Sequence, residues 1–285
     1  MNFVSQTIDI VRTVQELRHR IRAWQGEGLC VGLVPTMGGL HDGHLALVKA
    51  SLQNTDRTVA TLFVNPKQFG PNEDFGEYPR DENCDTKLFT DEGAHLLFAP
   101  NAAEMYPDGF STSVSVANIG DVLEGEFRPG FFTGVATIVT KLLVQAGADQ
   151  AFFGEKDYQQ LHVIKRLALD LNIPTDITGV PTVREDDGLA LSSRNQYLAP
   201  KERKIASALY QTLNAVAEKI NQGDKIAATE AWGANKLLGS GFTHVDYISA
   251  RDGATLEAYT VTSQSGRVLV AAKLGKARLI DNVPL

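Results

Sequence analysis

At 285 residues, with 43% hydrophobic and 21% charged side chains, the chain has the make-up of an ordinary globular protein, long enough for one large α/β domain and a smaller one. A net charge of −7 and a pI near 5.4 leave no electrostatic footprint for general nucleic-acid binding, so an anionic ligand needs a local patch of cations. Met1 to Asp9 lack a basic start and a long apolar core, and Lys141 interrupts the best candidate for a membrane span, so the cytoplasm is the expected compartment, with no membrane partner. Cys30 and Cys84 have neither metal nor redox spacing, and Cys30 reads as a small core residue.

Thr13-Val14-Gln15-Glu16 has the form of a capping box, and Val14, Leu17, Ile21 and Trp24 then share a helix face that Gly26 and Gly28 end. Leu29 to Val34 is a short apolar run that reads as a buried parallel strand. It feeds Pro35-Thr36-Met37-Gly38-Gly39-Leu40-His41-Asp42-Gly43-His44, after which Leu45, Leu47, Val48 and Leu52 fall at helical spacing. A strand, a glycine-rich turn and a helix in that order gather free backbone N–H groups and a positive dipole end at one spot, which suits phosphate. His41 and His44, three residues apart at the helix start, can both donate to the same anion. Two plainer readings stand beside this one: a pair of zinc ligands, although no Cys, His or carboxylate cluster nearby completes a site, and two incidental surface histidines.

Thr58 to Val64 is β-rich and reads as the next parallel strand, ending at Asn65-Pro66-Lys67-Gln68-Phe69. Gly70 to Asp85 is polar and irregular; a structureless stretch of that length reads as a functional lid, with a mobile surface loop as the alternative. Thr86 to Asp91 suggests a short helix, His95 to Pro100 a strand, and Ser111 to Val116 alternates as an edge strand does. Asp121 to Gly130 is a turn-rich loop with paired charges, and Phe132 to Ala146 a strongly apolar helix ending at Gly147. Ala151-Phe152-Phe153 leads into Gly154-Glu155-Lys156-Asp157, and the next helix carries Leu161, Ile164, Leu167, Ala168 and Leu171. Strand, glycine turn and helix thus recur, with Lys156 either facing phosphate or exposed to solvent. Asp176 to Val180 reads as the last strand of this unit. Leu191-Ser192-Ser193-Arg194 then sets two hydroxyls and a forked guanidinium side by side, groups that suit a nucleotide's phosphates, although the tripeptide alone is common in loops.

From Pro200 the texture changes: Lys201 to Gln222 and Lys225 to Leu238 read as helices, and Thr243 to Ser249, Arg267 to Ala272 and Ala277 to Asp281 as short strands. The expected fold is α/β, with a parallel-sheet domain over residues 1–177 and a smaller C-terminal α+β domain over 178–285.

Read together, several blocks carry a family resemblance. They are Pro35-Thr36-Met37-Gly38…His41-Asp42-Gly43-His44, Phe63-Val64-Asn65-Pro66…Gln68-Phe69, Tyr78-Pro79-Arg80, Asp121-Val122-Leu123-Glu124-Gly125…Arg128-Pro129-Gly130, Gly154-Glu155-Lys156-Asp157-Tyr158-Gln159-Gln160-Leu161, Pro181-Thr182-Val183-Arg184, Asp187-Gly188-Leu189-Ala190, Ser192-Ser193-Arg194-Asn195 and Ala277-Arg278-Leu279-Ile280-Asp281-Asn282. In this order, nearly end to end, the chain resembles the pantothenate synthetase (pantoate–β-alanine ligase) family of the nucleotidyltransferase superfamily. The resemblance implies a Rossmann-like ATP- and pantoate-binding domain, a small C-terminal domain that lids it, and a homodimer. It implies condensation of (R)-pantoate with β-alanine, using ATP and magnesium, through pantoyl-adenylate, with release of AMP and pyrophosphate.

Carried onto this sequence, the resemblance has His41 and His44 contacting the ATP phosphates, with His44 as proton donor and Lys156 and Arg194 as further catalytic groups. It places the nucleotide on Met37, Gly38, Gly39, Leu40, His41, Asp42, Gly43 and His44, with Gly154, Glu155, Lys156, Asp157, Val183, Leu191, Ser192, Ser193 and Arg194. Gln68 and Gln160 would hold pantoate, Gln68 would later lie near β-alanine, and Asn65 and Arg128 are further candidates for that pocket. Magnesium would be held largely by ATP, with Asp85 as a protein contact. One departure stands out: the family usually has His-Phe after Arg128-Pro129-Gly130, whereas this chain has Phe131-Phe132, which alters either a substrate contact or the dimer surface. Gly39 also replaces a more usual Ala or Asn.

The residues fit that chemistry in their own right. A carboxylate attacking the α-phosphorus of ATP needs positioning, and donors where negative charge builds, but no protein nucleophile. Neutral amides such as Gln68 and Gln160 orient a hydroxy acid without neutralising the carboxylate that must attack. Other readings are an adenylyltransferase for a phosphorylated acceptor, which needs basic residues where Gln68 and Gln160 stand, a nucleotide-binding module without turnover, and a metal hydrolase built on His41 and His44.

Overall fold

The structure is a computed structural model that describes residues 8–71, 73–260 and 262–285, and it divides the strands between two sheets. Residues 1–7, on which most of the leader reading rests, lie outside the described residues, as does Asn72 of the expected lid. The first sheet holds β1 (Asp9–Val11), β2 (Val31–Thr36), β3 (Arg57–Leu62), β4 (Leu96–Phe98), β5 (Gln150–Gly154) and β6 (Asp176–Val180), all parallel, in the order β1-β4-β3-β2-β5-β6. The chain therefore builds outward from β2 through β3 to β4, then returns to β2's other side for β5 and β6. This reversal brings the turns after β2 and β5 together at the carboxyl ends of neighbouring strands, the position where open α/β sheets bind ligands.

Helices α1 (Val14–Gly26), α2 (Asp42–Asn54), α3 (Glu82–Glu92), α4 (Ala102–Met105), α5 (Glu124–Phe127), α6 (Phe131–Ala146) and α7 (Tyr158–Asp170) accompany this sheet. Both faces of the sheet are covered, which explains why β2 reads as an unbroken apolar run rather than an alternating one. One core lies around Leu17, Ile21, Phe98, Leu143 and Ile164, and another around Val34, Val48, Phe89, Leu97 and Phe152. Helix α6 is buried over most of its circumference and rides close on the turn Pro66–Gln68. A Cβ at Gly134 would sit 2.1 Å from the Lys67 carbonyl oxygen, so only glycine admits this approach.

The remainder comprises α8 (Pro200–Ala206), α9 (Ala208–Asn221) and α10 (Ile226–Ser240) on an antiparallel sheet of β7 (His244–Asp252), β8 (Gly266–Leu274) and β9 (Ala277–Pro284). Its own core includes Leu213, Val216, Leu237, Val268, Val270 and Leu279. Among the described residues no helix is long and apolar enough to cross a membrane.

Several elements differ from expectation. Ser111 to Val116 joins no ladder; instead the Val114 N–H donates to Thr137 Oγ1 on α6 at 3.0 Å, so its alternation reflects packing along a helix. The expected lid ends early, because the Asp81 carboxylate accepts the Cys84 N–H (3.0 Å) and starts α3 at Glu82. Asp85 thereby lies within a helix. The single helix expected from Lys201 to Gln222 is divided at Ser207 into α8 and α9. Strand β1 was not anticipated; three residues beside β4 carry too little periodicity to register. The boundary expected at residue 177 falls inside β6, whose five residues all pair with β5.

Candidate active site

At the end of β2, Thr36 Oγ1 donates to the Thr61 carbonyl (2.7 Å), pinning the strand end to β3. The chain then turns through Gly38 and Gly39, whose φ values of 86° and 63° strain any L side chain. Asp85 braces this turn from α3, its two carboxylate oxygens accepting the Gly39 and Leu40 N–H groups, each at 3.0 Å. Burial raises its pKa, and the two backbone donors oppose that shift. Asp85, expected as a magnesium contact, is placed beneath the turn by α3. At 3% exposure, with both oxygens engaged by backbone donors, it does not line the cavity and acts as a brace for the turn.

Helix α2 opens on a reciprocal cap made of two imidazoles. The Gly43 N–H donates to His41 Nδ1 at 3.1 Å, and the His41 N–H donates to His44 Nδ1 at 3.3 Å. With each Nδ1 accepting, each neutral ring carries its proton on Nε2. The rings stand 4.1 Å apart, and a Cβ at Gly43 would meet His41 Cε1 at 2.8 Å. Burial depresses the His41 pKa to about 4, with the Lys156 charge adding to the effect. Burial, then His41 and Lys156, hold His44 at about 3. Both rings are therefore neutral Nε2–H donors at pH 7, so His44 offers a hydrogen bond rather than an acidic proton.

Because β5 lies beside β2, the turn Glu155–Asp157 brings Lys156 to the same end of the sheet. Lys156 Nζ lies 3.8 Å from the Asp157 carboxylate, and its charge reaches both imidazoles. Ser192 Oγ accepts the Arg194 N–H at 3.3 Å and opens the turn Ser193–Tyr197, which lies against the glycine turn: Cβ atoms at Gly39 and Gly43 would come within 3.6 Å of Ser193 Cβ and 3.8 Å of Leu191 Cβ, respectively. Arg194 forks onto Asp74 through Nε (3.0 Å) and Nη2 (2.9 Å), and Tyr78 Oη lies 3.5 Å from Ser193 Oγ. Arg128 forks onto Glu73 at 2.7 and 2.6 Å. Burial alone would raise the Glu73 carboxyl, but this guanidinium holds it below its ordinary value. The Arg128 fork also lies 3.6 Å over the Phe131 ring, so the departure at 131 supplies an apolar platform beneath a cation.

Gln68 sits on the turn Pro66–Gln68 with Nε2 donating to the Met37 sulfur. Asn65 fixes it: Asn65 Nδ2 donates to Gln68 Oε1 (3.0 Å) and the Gly134 carbonyl (3.1 Å), while Asn65 Oδ1 accepts Tyr106 Oη–H (2.6 Å) and the Lys67 N–H (3.3 Å). The Asn65 amide is thus committed to orienting Gln68. The neighbouring glutamines divide their work. Gln159 and Gln160 both line the cavity, but the buried Gln159 gives its amide protons to the Ile119 and Val122 carbonyls.

One cavity of about 1200 Å³ gathers most of the expected residues. Met37, His41, Gly43, His44, Gly154, Lys156, Asp157, Val183, Leu191, Ser192, Ser193 and Arg194 line it, as do Gln68, Gln160, Asn65 and Arg128. Gly38, Gly39, Leu40, Asp42 and Glu155 do not; the two glycines shape the turn, and Glu155 pairs with Arg267 at 3.3 Å instead. Sequence reasoning missed an apolar wall of Phe63, Phe132, Val135 and Val139, whose signal was a helix apolar nearly all round. It also missed Lys273, Lys276 and Arg278, which reach the cavity from the second sheet.

The family profile described as pantoate-beta-alanine ligase matches residues 9–284. The chain belongs to the pantoate–β-alanine ligase family. Among relatives, it is 55% identical over 280 residues to the pantothenate synthetase of Paramagnetospirillum magneticum, covering 98% of this chain and 99% of that one. It is 53% identical over 279 residues to that of Rhodospirillum rubrum, again covering 98% and 99%. The crystal structure of pantothenate synthetase from Thermus thermophilus superposes with a TM-score of 0.89 at 45% identity, over 97% of this chain and 99% of that one. A pantoate-beta-alanine ligase from Francisella tularensis, complexed with beta-gamma ATP and beta-alanine, superposes with a TM-score of 0.81 at 33% identity, over 97% of each chain.

Proposed function

We propose that this cavity carries out the family's reaction, the ATP-dependent condensation of pantoate with β-alanine, in two steps through pantoyl-adenylate. The observation that carries this reading is the meeting of His41, His44 and Lys156 with Gln68 and Gln160 along one cavity. In the first step a pantoate carboxylate oxygen attacks the α-phosphorus. A new O–P bond forms as the bond to the bridging oxygen breaks, and pyrophosphate leaves with that electron pair. The Nε2–H groups of His41 and His44 and the Lys156 ammonium meet the charge that develops on the phosphates. Gln68 and Gln160 orient the acid, and the wall of Phe132, Val135 and Val139 covers its branched carbon. In the second step the free amine of β-alanine attacks the acyl carbon. The C–O bond breaks, AMP leaves, and the surplus nitrogen proton passes to water.

Magnesium enters this scheme on ATP, whose phosphate oxygens suit it as ligands, and when bound it neutralises charge on the departing pyrophosphate. Among the described residues no three His, Cys, Asp or Glu side chains form a metal-holding group. The second sheet and its helices are proposed to act as a lid, with the break between domains after β6 instead of at residue 177. A homodimer is proposed on the family resemblance; sedimentation equilibrium should give twice the 30.9 kDa of one chain.

The two-step scheme is tested by ATP–pyrophosphate exchange. Pantoate alone should support exchange, with β-alanine required only for AMP release. Exchange that depends on β-alanine from the outset would rule out a free-standing adenylate.

A further inference from the structure

The turn that presents Lys156 has no side-chain cap of its own: neither Gly154, which precedes it, nor Asp157, which opens α7, makes a capping hydrogen bond. Its bracing comes from the far end of the sequence. Asn282, on β9 of the other sheet, donates from Nδ2 to the carbonyls of both Glu155 (2.9 Å) and Lys156 (3.0 Å). Its Oδ1 accepts Arg267 Nε at 2.6 Å, and Arg267 in turn reaches the Glu155 carboxylate at 3.3 Å and lies 4.2 Å over the Tyr158 ring. Asn282 is 2% exposed, so these bonds form away from water, where an unmade partner is costly.

The backbone around Asn282 is equally occupied. Its N–H donates to Asp281 Oδ1 (2.7 Å), and its carbonyl accepts Arg184 Nη2 at 3.2 Å. Arg184 forks onto Asp281 at 2.6 and 2.9 Å, and the chain runs on from Arg184 to Ser192 and Arg194. Asn282 therefore joins the turn bearing Lys156 to the segment that leads to Ser192 and Arg194. Only an amide does this at that site: Asp lacks the two N–H donors, and Ala lacks all three polar contacts.

We propose that Asn282 is a positioning residue for Lys156, so that the cation meeting the triphosphate is aimed from the second sheet. The proposal rests on the reading of Lys156 given above, and a double-mutant cycle separates the two. Asn282→Ala should lower the rate of ATP–pyrophosphate exchange on the order of 10–100-fold, as expected when a contact group is displaced by about an ångström. The KM for β-alanine should stay the same. In a Lys156→Ala background the same substitution should cause no further loss, because the group it aims is gone. Val283→Ala, a buried neighbour on β9, serves as the stability control: it should lower the melting temperature and leave exchange unchanged. If Asn282→Ala fails to fold, Asn282→Ser, which keeps a small hydroxyl in the buried site and loses the reach of the amide, takes its place with the same expected result. An equal loss in both backgrounds, or an unchanged exchange rate, overturns the proposal. Full activity in Lys156→Ala alone would remove Lys156 from the reaction and the positioning proposal with it.

Discussion

His41, His44 and Lys156, the groups given the triphosphate, are set by backbone bonds: two imidazoles cap the helix they belong to, Asp85 holds the glycine turn before them, and Asn282 holds the turn of Lys156. Arg128 and Arg194 are set instead by side chains, forked onto Glu73 and Asp74, adjacent residues of one loop. Donors fixed by backbone need no rearrangement when a phosphate arrives, and that is where electrostatic preorganisation is worth most. A guanidinium that already holds a carboxylate must exchange one anion for another, which offsets part of its gain. The fixed groups are therefore expected to govern rate, and the exchanging groups to govern affinity.

The largest expected effect is on the fixed groups. Lys156→Ala should reduce kcat by about 10²–10³-fold, the range found when one transition-state donor is removed, with the circular dichroism spectrum unchanged. Wild-type turnover in that variant would break the comparison at its stronger end. The imidazoles give a pH signature. Below about pH 6.5 the unfolded chain takes up protons, whereas the folded His41 and His44 do so only near about 4 and about 3, so stability falls as the pH drops through that window. Each ring should contribute about 1.4 kcal/mol per pH unit, read by urea unfolding at several pH values. His41→Asn keeps a good helix cap and should flatten that slope.

Asp85→Asn exchanges an acceptor for a donor facing a backbone N–H. It should cost about 1–3 kcal/mol of stability, with the magnesium dependence of turnover unchanged. A shifted magnesium requirement would return Asp85 to the metal. The smallest effect belongs to the exchanging groups: Asp74→Asn should tighten binding of a non-hydrolysable ATP analogue by a few-fold, about 1 kcal/mol or less, measured by calorimetry. Weaker binding would mean that Asp74 stays with Arg194 and aims it.

The elements that were legible were those whose signal is local. The capping box at Thr13, the apolar run of β2, the glycine turn with its paired histidines and the apolar α6 each announce themselves within a dozen residues. What was not legible depends on partners far apart in sequence. The bonds of Asp85, which α3 carries under Gly39, and of Asn65, whose amide meets Tyr106 and Gly134, are made with residues no local window contains. The same holds for Glu73 on Arg128 and Asn282 on the Lys156 turn, which pair across 55 and 126 residues. The edge strand expected at Ser111 to Val116 failed for the converse reason. Alternation of two shows that one face is buried, not that a neighbouring strand does the burying.

Isotope transfer tests most directly whether a carboxylate is made reactive on the α-phosphorus within this cavity. With pantoate labelled by oxygen-18 in its carboxylate, turnover in the presence of ATP and β-alanine should deliver one labelled oxygen to AMP and none to pyrophosphate. Label appearing in inorganic phosphate, with ADP as the nucleotide product, would place the attack on the γ-phosphorus and contradict the account.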